Sequence, residues 1–95
     1  PTYKLMEYFS AVGSEVDYYD PYVPVVPKTR EHAKWEGKES VEWSKDVISG
    51  YDVVVISTDH KSVDYAELAE WGTLIVDSRN AMGREGIQAE HIFKA

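Results

Sequence analysis

The sequence contains no cysteine. That removes a disulfide framework, a thiolate metal site and a thiol nucleophile from this chain. Basic residues are scarce: ten Lys and Arg stand against seventeen Asp and Glu, a formal net charge of −7. So acidic a chain lacks the cationic footprint of a nucleic-acid binder, which disfavours nucleic-acid phosphate, and no nucleic-acid partner is expected. A single phosphorylated small ligand is still allowed, because it needs only a local cation or two. No apolar run approaches the ~20 residues of a membrane span and no secretory signal opens the chain, so no membrane association and a cytoplasmic location are expected. The six glycines never fall in G-x-G-x-x-G spacing, which argues against independent dinucleotide binding. The chain begins Pro1-Thr2-Tyr3 rather than with Met, as expected of a piece of a longer polypeptide.

What is present is a normal globular balance. Hydrophobic residues make up 43% and charged residues 28% of 95 residues, enough for one small domain with a modest core. Residues 1–12 read as a helix with Leu5, Phe9 and Val12 on its apolar face and Tyr8 beside it. Pro1 suits its first turn and Gly13 a left-handed cap after its last. Glu15–Tyr19 alternates as a short strand, with Val16 and Tyr18 on one face, and Asp20-Pro21 ends it. With Pro24 and Pro27 close by, Tyr22 to about Lys38 reads as a long, partly extended loop.

Ser40–Trp43 suits a short edge strand, and Ser44 an N-cap for a helix over Lys45–Ser49 that Gly50 closes. Val53-Val54-Val55-Ile56 is continuously apolar and β-branched, the pattern of a central parallel strand covered on both faces. Asp64 and Glu67 have capping-box spacing for a helix over Tyr65–Trp71, stopped by Gly72. Thr73–Val76 is a second apolar strand, and His91–Phe93 a last short one. Alternating strands and helices give an α/β fold: a Rossmann-like, open, mainly parallel sheet with flanking helices, its first strand missing.

In such sheets ligands bind beyond the carboxyl ends of the strands. Asp20, Thr58-Asp59-His60 and Asp77-Ser78-Arg79-Asn80 occupy those ends. Arg79 stands out, because its planar guanidinium fork fits phosphate or carboxylate in two contacts; the competing reading is a salt bridge to Asp77 or another surface acid. Asp77 is read as fixing its turn through bonds to backbone N–H groups. Asn80 either supports that turn or touches ligand. His60 is a general base by residue type, with a structural loop histidine the simpler reading. Asp59 and His60 lack a third ligand at metal spacing, so no metal site is expected. Asp20 suits either a ribose hydroxyl or a plain strand break. His32 and His91 read as surface residues. Trp35, in the loop, is the best candidate to touch a partner.

These motifs resemble a known family. Val16-Asp17-Tyr18-Tyr19-Asp20-Pro21-Tyr22-Val23-Pro24, Tyr51 to His60, and Leu74-Ile75-Val76-Asp77-Ser78-Arg79-Asn80 are similar, in order and spacing, to strands and exits of the carboxyl-terminal, UDP-binding domain of UDP-glucose/GDP-mannose dehydrogenases. Pro1 matches the proline that opens that domain's first helix. The Tyr-Asp-Pro-Tyr-Val-Pro and Thr-Asp-His forms look most like the UDP-N-acetylglucosamine 6-dehydrogenase branch. The resemblance implies an NAD-dependent parent enzyme that oxidises the primary alcohol of a UDP-sugar to a carboxylate in two hydride transfers. NAD would sit in an amino-terminal domain, and a central helical region would form a homodimer and carry a catalytic cysteine. Residues 1–95 would then be the nucleotide-sugar-binding domain, with Arg79 matching the arginine that lines the UDP cleft. Asn80, Asp59 and His60 would be further substrate-binding candidates, with no catalytic residue in this chain. The cofactor fingerprint, the cysteine and the domain's first strand, with its family Phe-Lys and Arg-Glu-Ser motifs, are missing, so the chain alone is expected to be inactive. The alternative is a stand-alone Rossmann-like protein-association module, with Trp35 and the proline-rich loop as its interface and Arg79 structural.

Overall fold

The computed structural model describes residues 2–31 and 33–95; Pro1 and His32, each singled out above, lie outside them. The chain divides into two compact units, Pro1–Glu42 and Trp43–Ala95.

In the first unit, helix α1 spans Thr2–Ala11. It ends as the sequence predicts, with Gly13 at φ 96°. The Gly13 N–H bonds the Ser10 carbonyl at 3.1 Å and the Ser14 N–H the Phe9 carbonyl at 3.0 Å, the paired bonds of a Schellman cap that only a residue tolerant of positive φ completes cheaply. The apolar face differs from expectation. Met6 is the buried residue, 4% exposed, whereas Leu5 is 39% and Val12 65% exposed. Apolar residues at 3, 5, 6, 9 and 12 offer this helix two overlapping stripes, and the distant Val26 and Trp35 select the one through Met6, with Tyr3, Val16 and Tyr18 packed around them.

Trp35 closes a 3₁₀ turn, Ala33–Trp35, and is only 6% exposed. Its expected role as a partner contact is therefore overturned: the ring is part of the core of this unit. Lys34 stands over it at 5.0 Å from the ring centroid and reaches the Ser10 hydroxyl at 2.7 Å. The expected strand over Glu15–Tyr19 is extended chain without a ladder, and Ser40–Trp43 is likewise not a strand. Val16 and Tyr18 do turn inward as the alternation predicts, but one backbone bond, from Val41 N–H to the Tyr18 carbonyl (2.9 Å), ties the two segments. The loop is held by side chains instead. The Tyr18 hydroxyl donates to the Val23 carbonyl at 2.8 Å, with the Lys38 carbonyl 3.2 Å away. Asp20 accepts from the Tyr22 N–H at 2.8 Å, and a single antiparallel bridge joins Val25 to Glu39.

The second unit holds the sheet. Helix α2 (Lys45–Ile48) is capped by the Ser44 side chain, as its sequence signal predicts. Strand β1 (Val54–Ile56), helix α3 (Tyr65–Trp71), strand β2 (Ile75–Asp77), helix α4 (Ala81–Arg84) and strand β3 (Ile92–Lys94) follow. The strands form an open sheet in the order β1-β2-β3, parallel throughout, with Val54 opposite Ile75 and Ile75 opposite Ile92. This is the Rossmann-like α/β arrangement expected. The central strand, however, is β2. Ile75 is fully buried, whereas Val53 is 45% exposed, so the apolar run of β1 serves an outer strand of the described sheet. The core gathers Ile48, Ile56, Tyr65, Leu68, Ile75, Ala81 and Met82.

Asp64 caps α3 by accepting from the Glu67 N–H at 3.0 Å, while the Glu67 carboxylate takes the Trp43 indole N–H at 3.0 Å. Trp43 and Trp71 pack at 5.8 Å between centroids. Gly72 ends the helix, bonding the Leu68 carbonyl at 2.8 Å. A Cβ there would lie 2.9 Å from Ile75 side-chain atoms and 3.1 Å from the Leu68 carbonyl oxygen. Because Ile75 is fully buried in the core, Gly72→Ala is expected to destabilise the unit by about 1–3 kcal/mol. A thermal melt followed by tryptophan fluorescence checks this; an unchanged midpoint would show that the contact is relieved cheaply.

Candidate functional site

The site is built at the carboxyl ends of β1 and β2. Asp77, the last residue of β2, is 2% exposed. One carboxylate oxygen accepts the N–H groups of Arg79 and Ala81, each at 3.1 Å, and the other accepts that of Met82 at 2.8 Å. A buried carboxylate is tolerable when donors surround it. These donors are the otherwise unsatisfied amides of the turn and of the start of α4. The reading of Asp77 as a turn-fixing residue agrees with this geometry. The chain leaves it through Ser78, whose hydroxyl donates to the Ile56 carbonyl at 2.6 Å, so the turn is stitched back onto β1.

Arg79 is exposed, and its Nε donates to the Ser57 carbonyl at 3.0 Å. Among the described residues this is the hydrogen bond of its guanidinium; no salt bridge to Asp77 forms, because the Asp77 oxygens are taken by backbone amides. The side chain therefore lies across the joint exit of β1 and β2, the position expected for ligand contact. Asn80 follows at φ 56°, ψ 30°, a left-handed conformation that asparagine tolerates better than most residues. Its side chain makes no capping bond and lies over Gly83, where an added Cβ would stand 2.9 Å from the Asn80 Cγ.

The loop after β1 is held from the other side. Arg84, the last residue of α4, grips Asp59 with two parallel bonds, Nε to Oδ2 at 2.9 Å and Nη2 to Oδ1 at 2.8 Å. The Tyr65 hydroxyl donates to Asp59 Oδ1 at 3.0 Å and accepts the His60 N–H at 2.9 Å. Tyr65 itself is buried, 4% exposed, which fixes the hydroxyl in place. Burial pushes the Asp59 carboxyl up, but the hydrogen bonds from Arg84 and Tyr65 and the nearby guanidinium charge outweigh it, and its pKa falls below the ordinary value. Burial raises the Tyr65 phenol, and the adjacent Asp59 carboxylate adds to the rise.

A carboxyl with a depressed folded-state pKa adds stability above its unfolded value, near pH 4, and loses that contribution as pH falls through the folded value. Asp59→Asn is therefore expected to narrow its stability gap from wild type below about pH 4 and to keep it constant near neutrality. Urea melts across pH 2–7 check this, and a gap that widens on acidification would contradict it.

Two depressions flank the cluster. One of about 180 Å³ is lined by Asn80, Gly83 and Lys94 among others; a wider one of about 440 Å³ runs past Lys61, Ser62 and Tyr65. Arg79 lines neither, so it stands on an open sheet end. Among the described residues no group of three His, Asp or Glu side chains is placed to hold a metal ion, and no helix is long and apolar enough to cross a membrane.

A family model described as the UDP-glucose/GDP-mannose dehydrogenase family, UDP binding domain, matches residues 1–84. The chain belongs to this family. Comparison with curated proteins and with solved structures gave no match. The UDP-binding-domain match takes in both units up to Arg84, including every residue of the cluster just described, and stops before β3.

Of the residues singled out from sequence in this UDP-binding domain, Arg79, Asn80, Asp59 and His60 come together at one sheet end. Asp20 lies in the first unit with its side chain engaged in its own turn. His91, read as a surface residue, is half-buried, with Nε2 2.6 Å from the Ala69 carbonyl oxygen. Sequence reasoning missed Arg84 and Tyr65. The signal for Arg84 is weak, because the four-residue α4 carries a glycine and has no apolar period to announce it.

Proposed function

We propose that the second unit binds the diphosphate of a nucleotide sugar, for an NAD-dependent nucleotide-sugar 6-dehydrogenase of the UDP-N-acetylglucosamine type, with the whole of residues 1–95 acting as its UDP-binding domain. The observation that carries this reading is Arg79, anchored by one nitrogen to Ser57 while its two terminal nitrogens are left for a ligand. A guanidinium held this way has lost part of its rotational freedom before binding, so more of each phosphate contact appears as affinity. Asn80 and His60, at the same sheet end, are further substrate contacts, and Asp59 belongs to the same cluster. The open sheet end forms half of a cleft, which the amino-terminal and central domains of the parent chain complete; the parent is a cytoplasmic homodimer.

NAD has no cradle here. None of the six glycines has the spacing that lets backbone approach a pyrophosphate, and these residues take no part in the cofactor's chemistry. What this chain contributes is position: a fixed cation on the diphosphate orients the sugar for chemistry performed elsewhere. The chain mixed with NAD and a UDP-sugar is expected to yield no NADH absorbance. Titration of the labelled chain with UDP tests the reading directly. The Arg79 and Asn80 amides are expected to shift, saturably, and an unperturbed spectrum would reject it.

A further inference from the structure

We infer that Asp59 and Arg84 are positioning residues: their ion pair sets the loop after β1 against Arg79, and they act on bound nucleotide only through that loop. This rests on the nucleotide-binding reading for its effect on affinity, but not for its effect on the loop.

The argument starts from what each atom is already doing. Both Asp59 oxygens are bonded to Arg84, and one also takes the Tyr65 hydroxyl. A carboxylate so occupied, and negative, is a poor partner for a diphosphate. Arg84 in turn spends two of its three guanidinium nitrogens on Asp59, in the fork geometry that makes Arg–carboxylate pairs directional. The consequence falls on the backbone between them. Ser57, whose carbonyl holds Arg79, is two residues before Asp59. His60, whose N–H is tied to the buried Tyr65, is one residue after it. Ser57–His60 is thus fixed at both ends, and the anchor at the Asp59 end comes from α4.

Helix α4 is itself set by Asp77, which caps Ala81 and Met82. One buried carboxylate therefore places both arginines: Arg79 directly through its amide, and Arg84 through the helix. The two cations then have divided roles. Arg84 is neutralised by Asp59 and serves geometry, and Arg79 keeps its charge for the ligand. This division also suits so acidic a chain, since Asp59 and Asp77, the two carboxylates of the cluster, are both satisfied by other donors.

The test uses Arg84→Ala, Arg84→Lys, Asp59→Asn and the Asp59→Asn/Arg84→Ala double variant of the full chain, with UDP as the probe. Each single variant is expected to weaken UDP about tenfold, the scale on which loss of an outer partner weakens a metal site. The double variant should be no worse than either single one, because the residues act as a unit. Lysine at 84 should rescue little, since it keeps the charge and loses the fork. In the unliganded variants the Ser57–His60 amides should lose order while β2 and β3 amide shifts stay in place. The downfield Arg84 Nε–H signal should collapse in Asp59→Asn. Additive losses in the double variant would mean that Asp59 touches the nucleotide itself, and an unchanged loop in Arg84→Ala would show that no clamp operates; either overturns the inference. If wild type fails to bind UDP, the nucleotide reading falls alone, and the loop-order and Nε–H measurements still decide the clamp.

Discussion

Asp77→Ala is expected to destabilise the sheet-bearing unit by about 3 kcal/mol, lowering its melting temperature by roughly 15 °C. The substitution removes the acceptor for three backbone amides, those of Arg79, Ala81 and Met82, in surroundings where Ala81 is fully buried and Met82 1% exposed. Water cannot replace the carboxylate without opening that core. Each orphaned buried donor costs on the order of 1–3 kcal/mol, and local relaxation recovers part of the sum. Against a domain stability of about 5–15 kcal/mol the loss is large. Asp77→Asn, which keeps one acceptor oxygen but turns an N–H₂ toward other donors, should fall between. Thermal melts monitored at Trp43 and Trp71 report on this unit. An Asp77→Ala midpoint within about 2 °C of wild type, well inside the roughly 4–8 °C that 1 kcal/mol moves a domain of this size, would remove the carboxylate from its central place in the site.

The second large effect is on binding. Arg79→Ala is expected to weaken UDP by roughly 10–100-fold, the equivalent of one charge-assisted, two-pronged contact worth about 1.5–3 kcal/mol. Stability should change little, because the side chain is exposed and gives up one bond to a loop carbonyl. Arg79→Lys keeps the charge without the fork or the Nε anchor on Ser57, and should recover only part of the affinity. Calorimetric titration of the three proteins at one fixed low salt concentration separates these outcomes. Equal affinities for wild type and Arg79→Ala would move the phosphate contact elsewhere.

Local signals were legible where one short stretch contains both partners of an interaction. Gly13 after α1, Ser44 before α2, Asp64 at the start of α3 and Asp77 in its turn each bond within about five residues, and each behaves as its residue type predicts; the Glu67 carboxylate instead takes the distant Trp43 indole N–H, so the second half of the expected capping box does not form. The α/β class was legible for a related reason: β-branched runs separated by capped helices leave few other arrangements. The candidate ligand residues were legible through position, since strand ends in such sheets face a common opening.

What the sequence by itself determined about this protein is therefore its acidic, cysteine-free character, its alternating elements with their caps, and the membership that its strand-exit motifs announced. Tertiary structure alone decided which stripe of α1 is buried, that Trp35 belongs to a core, that Glu15–Tyr19 stays out of any ladder, that β2 is the central described strand, and that Arg84 pairs with Asp59. The reason is range. Caps and turns are closed by neighbours a few bonds away, whereas the choice of helix face, strand order and ion-pair partner is made by groups twenty or more residues distant, such as Val26 and Trp35 for Met6 and Arg84 for Asp59, whose approach no local period encodes.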